Sequence, residues 1–290
     1  MPELRRRKIN ALILSLDRNL QGLPFAALPL ENGDTLIGQV ALTVTPSLGL
    51  MDLGIEGPIP SLARILLAGS SRFTKGMAPL PMAPEELRQV ASLHPGSVVL
   101  LDDAFQSSRL VAEAQRQPIA ILHLATHADF VNQRANGARI FTSHGDFSLL
   151  ELGRELHRNP SHPIGLFVLN ACRTAIGNEE RELGISGLAL QAGANSALGN
   201  LWFVDDSASA AFVVQFHRLL QQGLRKDQAL QETQKRFRNG AIFVQGDQIK
   251  NHLGQTLVSG VTRADQVRFR NNELRHPYFW AGAVLSGSPW

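Results

Sequence analysis

Short apolar runs separated by polar or glycine-rich segments recur along the whole chain. Most of them are continuously apolar rather than alternating, which is typical of strands buried on both faces of a parallel sheet. They predict β-strands at residues 11–16, 62–68, 97–101, 119–126, 165–171, 195–203 and 278–285, with a weakly alternating candidate at 35–45. Residues 239–275 mix polar, apolar and glycine positions, and their pattern predicts no element.

Segments with helical periodicity lie between these strands. They predict helices from residue 84 and at 104–117, 148–158, 187–192, 206–222 and 226–238. Residues 76–84 are predicted to be a loop, as are the long stretch after residue 127 and the polar segment 176–184. Strands that alternate with helices predict an α/β fold in which a mainly parallel central sheet carries helices on both faces.

Two of the predicted strands run into residues with chemical capacity. The run at 119–126 is followed by His127, and the run at 165–171 is followed by Cys172. If the two strands are neighbours in a parallel sheet, their carboxyl ends share one edge, where open α/β sheets build their sites. A thiol beside an imidazole is the minimum for a cysteine nucleophile with a histidine base. The alternative is that Cys172 is a small buried apolar residue of the core.

Composition and charge narrow the possible functions. The chain has 290 residues, of which 44% are hydrophobic and 18% charged, so it can bury a sizeable core. The net charge of +3 is dispersed, and the basic cluster at residues 5–8 is interpreted as a solvated end, so no direct nucleic-acid binding is expected. No run approaches the ~20 apolar residues of a membrane span. With one cysteine and no signal-peptide pattern, we expect a cytoplasmic protein that binds no membrane.

Competing site motifs are incomplete. His123 and His127 have the spacing of two metal ligands, but no Glu follows His123, as zinc proteases require, and the run is a strand pattern. The segment 184–187 lacks the full pattern of a hydrolase nucleophile elbow, and Ser186 is interpreted as a helix cap. Residues 69–76 do not end as a phosphate-binding loop does. We therefore expect neither a metal nor a cofactor.

Seven short segments, in order, resemble the CHAT family of caspase-like peptidases of clan CD. They are residues 24–28, 121–127, 169–174, 187–189, 192–194, 201–206 and 276–281. The resemblance implies a single caspase-like domain over residues 1–290, with 1–60 as its N-terminal part and 61–290 as its core. It also implies that His127 and Cys172 form a catalytic dyad, which agrees with the strand-end pattern.

The resemblance further implies the residues around the dyad. The oxyanion hole would use the N–H groups of Cys172 and of Ala128, where the family usually has Gly. Asn170, two positions before the cysteine, would line the pocket for the side chain that precedes the cut. Its other wall would come from the loop after Trp202, which carries Asp205 and Asp206 and is similar to separases, which cut after arginine.

Two functions follow from these expectations. The first is a cysteine endopeptidase that cuts a protein partner, after a basic residue, as the effector of a regulatory system. CHAT domains are commonly joined to sensor modules such as TPR repeats, whose period is absent from this sequence, so a sensor would lie upstream or on another chain. The second is a catalytically silent module that holds a peptide in the same cleft. For Asp206, the alternative to substrate binding is capping the helix that begins there, which would leave Asp205 as the contact.

Overall fold

The computed structural model describes residues 2–17, 20–45, 47, 49, 51, 59–60, 63–74, 76–130, 138–156, 164–170, 187, 189–190 and 193–290. Cys172, the predicted loop at 176–184 and Ser186 lie outside these ranges, as does half of the helix predicted at 187–192. No described helix is long and apolar enough to cross a membrane.

Fourteen strands and eight α-helices are formed by the described residues. The strands are β1 (Ala11–Ser15), β2 (Ala41–Thr45), β3 (Ile65–Gly69), β4 (Val98–Leu101), β5 (Ile121–Ala125), β6 (Ala128–Phe130), β7 (Ala138–Thr142), β8 (Gly145–Ser148), β9 (Leu166–Asn170), β10 (Ser196–Asn200), β11 (Ile242–Gln245), β12 (Gln248–Asn251), β13 (Thr256–Ser259) and β14 (Ala283–Gly287). The helices are α1 (Pro2–Arg6), α2 (Leu36–Gln39), α3 (Ala83–Leu93), α4 (Ser107–Arg116), α5 (Leu149–Leu156), α6 (Asp206–Gln221), α7 (Lys226–Arg238) and α8 (Arg263–Arg268).

Eight strands form one central sheet in the order β1-β2-β14-β10-β9-β5-β3-β4. All neighbouring pairs are parallel except β10 with β14, which is antiparallel. The strands β4, β3, β5, β9 and β10 therefore run in one direction, and their carboxyl ends lie at one edge of the sheet. The predicted α/β fold with a mainly parallel sheet is confirmed.

Helices cover both faces of this sheet, as predicted. Along β5, Ile121 and Ala125 pack in the core that includes α3, α6 and α7, whereas Leu122 and Leu124 pack in the core that includes α4 and α5. Successive side chains of a strand point to opposite faces. His123 consequently lies on the α3 and α6 face, and it is completely buried there.

Four segments differ from the sequence prediction. The candidate strand at 35–45 is the short helix α2 followed by β2, and residues 278–285 begin with a 3₁₀ turn (Pro277–Phe279) before β14. The predicted loop after residue 127 contains the three-stranded antiparallel sheet β6-β7-β8. Residues 239–275, for which no element was predicted, contain the antiparallel sheet β11-β12-β13 and α8.

Candidate active site

The carboxyl ends of β5 and β9 bring the first predicted site residues together. The two strands are parallel neighbours, and Ala125 at the end of β5 pairs with Asn170 at the end of β9. The backbone N–H of Thr126 donates to the carbonyl oxygen of Asn170 at 3.3 Å, which extends the pairing beyond β5. His127 lies two positions after Ala125, and Cys172 lies two positions after Asn170 in the sequence.

His127 is held in one orientation by the loop that follows β3. Its Nε2 lies 2.8 Å from the carbonyl oxygen of Ala78, and its ring packs against that of Phe73 with a centroid separation of 4.6 Å. Because a carbonyl only accepts hydrogen bonds, Nε2 carries the hydrogen. In the neutral ring, Nδ1 is therefore the nitrogen able to take a proton. The backbone carbonyl does the orienting work that Asp or Asn does in many catalytic triads.

Hydrogen bonds at Ser71 and Leu80 hold the two ends of the loop that contains Ala78. The N–H of Leu80 donates to the carbonyl of Ser71 at 3.0 Å, and the N–H and hydroxyl of Ser71 donate to Asp102 Oδ1 at 2.7 and 2.9 Å. Asp102 follows β4 and has a left-handed backbone with φ of 49°. The end of β4 thus fixes the loop that orients His127.

Ala128 is compatible with a role as a backbone donor. Among the described residues, only Lys8, Asp102 and Asn272 combine a side chain with positive φ, so Ala128 does not need the conformation that favours Gly. Ala128 faces Ile140 across β6 and β7, and the adjacent N–H of Phe141 donates to the carbonyl of His127 at 2.9 Å. Since backbone groups alternate in direction along an antiparallel strand, the Ala128 N–H is directed away from β7.

A cleft of about 370 Å³, including its open mouth, lies at the same edge of the sheet. We call it the edge cleft. Its lining combines apolar side chains with two carboxyl groups and two carboxamides, from Leu80, Ala83, Glu86, Ala125, Thr126, Asn170, Asn200, Phe203, Val204, Asp206 and Ser209. The cleft therefore presents hydrogen-bond acceptors and negative charge within an otherwise apolar wall.

The roles of Asp205 and Asp206 are the reverse of those in the capping alternative, in which Asp206 caps the helix and Asp205 contacts the ligand. Asp205, not Asp206, caps α6: its side chain accepts from the N–H groups of Ser207 and Ala208 at 3.0 and 3.2 Å, and its other oxygen lies 3.1 Å from the guanidinium of Arg268. Asp206 lines the edge cleft and accepts from the N–H of Met82 at 2.8 Å. The alternative in which Asp206 caps the helix is therefore wrong.

The carboxyl of Asp206 has an unusual affinity for protons. Burial, together with the nearby carboxylates of Glu86, Asp205 and Asp265, raises its pKa from 3.8 to about 7, although the hydrogen bond from the Met82 N–H acts in the opposite direction. An acid of this kind changes charge near neutral pH. A cation that enters the cleft favours its ionised form.

Trp202 is absent from the lining of the edge cleft. Its indole stacks on Tyr278 at a centroid separation of 6.5 Å and donates from Nε1 to the Tyr278 carbonyl at 2.8 Å. A Cβ atom placed on Gly282 would lie only 2.8 Å from the indole. Phe203 and Val204 line the cleft from this loop instead, and Phe203 is 48% exposed.

The sequence patterns missed four polar residues of the cleft: Glu86, Thr126, Asn200 and Ser209. Glu86 lies in the first turn of α3, where a carboxylate is expected for its effect on the helix dipole and gives no sign of burial. Asn200 ends β10, so the rule that polar residues at strand ends build sites was available for it. Ser209 lies within α6 and carries no comparable signal.

A metal site at these residues finds no support in the geometry. Among the residues that the structure describes, no group of three or more His, Cys, Asp or Glu side chains could hold a metal ion. His123, one of the two histidines with ligand spacing, is buried against Glu86, and His127 contacts Ala78 and Phe73.

Comparison with protein-family models identifies the chain. The model of the CHAT domain matches residues 1–288. The chain belongs to the CHAT domain family. No curated protein sequence matches it.

A solved separase structure shows that this CHAT domain has a caspase-like fold. The separase in the separase–securin complex of Saccharomyces cerevisiae matches 96% of this chain with a TM-score of 0.56 and 13% identity, and the match covers 16% of the separase chain. The Arg-specific cysteine proteinase gingipain R matches 87% of this chain and 55% of its own, with a TM-score of 0.49 and 9% identity. The Drosophila initiator caspase Dronc matches 63% of this chain and 80% of its own, with a TM-score of 0.42 and 8% identity. The chain thus corresponds to about a sixth of the separase that it matches.

Proposed function

We propose that this CHAT domain is a cysteine endopeptidase that uses Cys172 as nucleophile and His127 as general base and acid. The observation that carries the proposal is the setting of His127. It follows β5, is oriented through Nε2 by the Ala78 carbonyl, and lies at the sheet edge where the neighbouring strand β9 ends two residues before Cys172. Family membership and the caspase-like fold support a peptidase role in general.

The proposed reaction is acyl transfer through a thioester. Nδ1 of His127 takes the thiol proton, the Cys172 sulfur attacks the scissile carbonyl, and the oxyanion accepts hydrogen bonds from the N–H groups of Ala128 and Cys172. The imidazolium then gives its proton to the leaving amine, and water hydrolyses the thioester. The direction of the Ala128 N–H, away from β7, supports its part in this step.

We propose a basic side chain as the group recognised before the cut. Asn170 and Asp206 line the edge cleft, and a guanidinium or ammonium would gain charge-assisted hydrogen bonds there, each worth roughly 1.5–3 kcal/mol. The Asp205 carboxylate already caps α6 and contacts Arg268, and the Trp202 indole already bonds to Tyr278. We therefore propose that these two residues contribute indirectly, by holding the loop that carries Phe203 and Asp206. A protein substrate cut in response to a signal, with a sensor such as TPR repeats on another segment or chain, completes the proposal.

We also propose that residues 1–290 form one domain, with 1–60 as its N-terminal part and 61–290 as its core. The strands β1 and β2 support this, because they pair with β14 in the same sheet that contains β3, β5 and β9.

Thiol alkylation tests the dyad without knowledge of the substrate. Cys172 is the only cysteine, so every alkylated thiol reports on it. We expect iodoacetamide to react with the native protein at pH 6–7, below the pKa of about 8.5 of a free thiol, and to do so at least tenfold more slowly in His127→Gln. His144→Gln is the matched control, since this exposed imidazole pairs with Asp103 instead.

Cleavage of a peptide library tests the peptidase itself. We expect cuts after Arg or Lys in the wild-type protein and none in Cys172→Ala. An alkylation rate that His127→Gln leaves unchanged contradicts the dyad. Peptide binding without cleavage in the wild type contradicts the peptidase and favours the silent binding module.

A further inference from the structure

A chain of buried polar side chains crosses the core between the sheet and α6 and ends in the edge cleft. His94 Nε2 lies 3.4 Å from His217 Nδ1, His217 Nε2 lies 3.0 Å from His123 Nδ1, and His123 Nε2 lies 2.7 Å from Glu86 Oε1. The other oxygen of Glu86 lies 2.7 Å from Nδ2 of Asn170. The four inner residues are at most 4% exposed.

Burying such a chain of polar groups in the middle of an apolar face costs free energy of folding. A buried carboxylate and imidazoles lose their hydration, and the loss is offset only when each polar atom finds a partner. The proposed dyad uses none of these histidines, nor Glu86. The groups follow one another in a line rather than converge on one point, so the arrangement is not that of a metal site. Among the described residues, Glu86 and Asn170 are the members of the chain that line the edge cleft.

The chemistry of Glu86 fixes the orientation of Asn170. The two oxygens of the Glu86 carboxylate act as acceptors, His123 Nε2 being the donor to one and Asn170 Nδ2 the donor to the other. The same Nδ2 lies 3.5 Å from the hydroxyl of Ser209. With its amide nitrogen engaged in this way, Asn170 has its carbonyl oxygen as the group to offer to a ligand in the edge cleft.

We propose that Glu86 is a positioning residue for specificity. The buried histidine chain holds Glu86, and Glu86 orients Asn170. The amide oxygen of Asn170, beside the Asp206 carboxylate, then accepts hydrogen bonds from a cationic side chain. The inference deepens the proposed function and rests on it for the identity of the ligand. It assigns the preference for a cation to two acceptors, of which the neutral Asn170 is one. Glu86 acts from behind, through Asn170.

Affinity for a small amidine tests this role without proteolysis. Binding of 4-aminobenzamidine, followed by its fluorescence, is measured in a Cys172→Ala background at pH 8. In Gln, an NH2 group replaces one of the two carboxylate oxygens, of which Oε1 contacts His123 and Oε2 contacts Asn170, so one of these two contacts loses its acceptor. We expect Glu86→Gln to weaken binding about tenfold. Glu85→Gln is the matched control: it makes the same charge change one residue away, on a carboxylate bonded to Arg88 and to the Ser259 N–H.

A double-mutant cycle separates positioning from general damage to the fold. If Glu86 acts through Asn170, Glu86→Gln has at most a twofold effect in an Asn170→Ala background, because the oriented amide is already gone. Equal effects of Glu86→Gln in both backgrounds overturn the inference. So does an affinity that Glu86→Gln leaves unchanged.

The orientation of Asn170 can also be measured in the unmutated chain, which decides the matter if Glu86→Gln does not fold. In ¹⁵N-asparagine spectra, the Nδ2 hydrogens of Asn170, assigned by their loss in Asn170→Ala, should exchange slowly with solvent; fast exchange overturns the inference. A wild-type protein that does not bind the amidine overturns both this role and the basic-residue specificity. Amidine binding that depends on Glu86 in a protein that cuts no peptide overturns the proposed peptidase alone.

Discussion

Asp205 and Asp206 are adjacent in the chain, yet their carboxylates have different surroundings. Asp205, with φ of −50° and ψ of 138°, turns its side chain back onto the first N–H groups of α6. Asp206 is the first residue of that helix and faces the edge cleft. Either residue precedes Ser207 and Ala208 closely enough to cap them, so the sequence left both assignments open. The backbone angles of one residue decide which carboxylate meets a ligand.

The raised pKa of Asp206, about 7, predicts a pH-dependent preference for cations. The carboxyl is mostly neutral at pH 6 and mostly ionised at pH 8, because burial and the facing carboxylates of Glu86, Asp205 and Asp265 oppose its charge. In a Cys172→Ala background, we expect the affinity for a peptide with Arg before the cut, relative to citrulline, to rise about tenfold between pH 6 and pH 8. In Asp206→Asn, the ratio should stay flat and low.

Asp205→Asn supplies the comparison for that experiment. Asn is itself a good cap, so we expect a loss of stability of about 1 kcal/mol or less, arising mainly from the Arg268 pair. The Arg-to-citrulline ratio should keep its pH dependence. A ratio that responds to Asp205→Asn and not to Asp206→Asn would reverse the two assignments.

Two kinds of signal predicted the site residues. The strand pattern predicts His127, because a parallel sheet collects the residues that follow its strands at one edge, whereas Asn170 and Asp206 were predicted from the family resemblance. Glu86 could not be found in this way, because its burial depends on how α3 packs onto the His123 side of β5. A helix pattern alone does not say which of two adjacent glutamates turns inward.

At the scale of elements, the loop after β3 depends on Asp102 for its position. Asp tolerates the left-handed backbone that Asp102 adopts, and its carboxylate accepts from Ser71. We expect Asp102→Ala to cost about 1–3 kcal/mol in free energy of unfolding, measured with urea, through strain and the lost hydrogen bonds. Because the loop presents Ala78 to His127, alkylation of Cys172 should also slow several-fold.

Asp102→Asn serves as the control for the loop prediction. Asn accepts the left-handed conformation and keeps one acceptor oxygen, so most of the stability and of the alkylation rate should remain. Equal alkylation rates in wild type and Asp102→Ala would show that the β4 end does not position His127.

Gly282, just before β14, predicts the structural role of Trp202. A methyl group at position 282 would lie 2.8 Å from the indole, so Gly282→Ala must push Trp202 away from its stacking on Tyr278. We expect a loss of about 1–3 kcal/mol in urea unfolding, as for an overpacked core. Gly22→Ala is the control, since nothing lies within 4 Å of its added methyl. An unchanged stability would mean that the indole moves without cost.

The elements that the sequence did not predict are short and antiparallel. β6, β7 and β8 have three to five residues each, and β11, β12 and β13 have four each. Their apolar runs are at most four residues long and are interrupted by polar side chains. Strands of this length are stabilised by pairing with one another and by packing on neighbouring elements, which a local pattern does not contain. The strands of the central sheet are no longer, at four or five residues each, but they lie within continuous apolar runs that carry their own signal, and most of their ends agree with the prediction to within about three residues.

At the scale of the whole molecule, the central sheet consists of two parallel groups that meet at an antiparallel pair. β14 lies between β10 and β2, and it runs against β10 and with β2. The last strand of the chain therefore lies inside the sheet, between the first two strands, β1 and β2, and the five strands whose carboxyl ends form the site edge. The core on the α3, α6 and α7 face is continuous across this junction, and it surrounds the buried histidines.

This buried histidine chain predicts how the stability of the molecule depends on pH. Burial, with a smaller effect of the neighbouring His123, lowers the pKa of His94 to about 4 and that of His217 well below its usual 6.5. Each therefore contributes stability that is present above pH 6.5 and is lost on acidification as the unfolded chain takes up protons. Asp206 has the opposite sign: its raised pKa gives stability that is lost as the pH rises towards 7. Between pH 7 and pH 5, the contributions of His94 and Asp206 to the stability nearly cancel, at roughly 2 kcal/mol each, so His217 decides whether the stability rises or falls.

We expect the free energy of unfolding, measured with urea, to fall from pH 7 to pH 5 in the wild type, to fall more steeply in Asp206→Asn, and to fall less in His94→Gln. A wild type that is more stable at pH 5 than at pH 7 would mean that the buried imidazoles are charged in the folded protein.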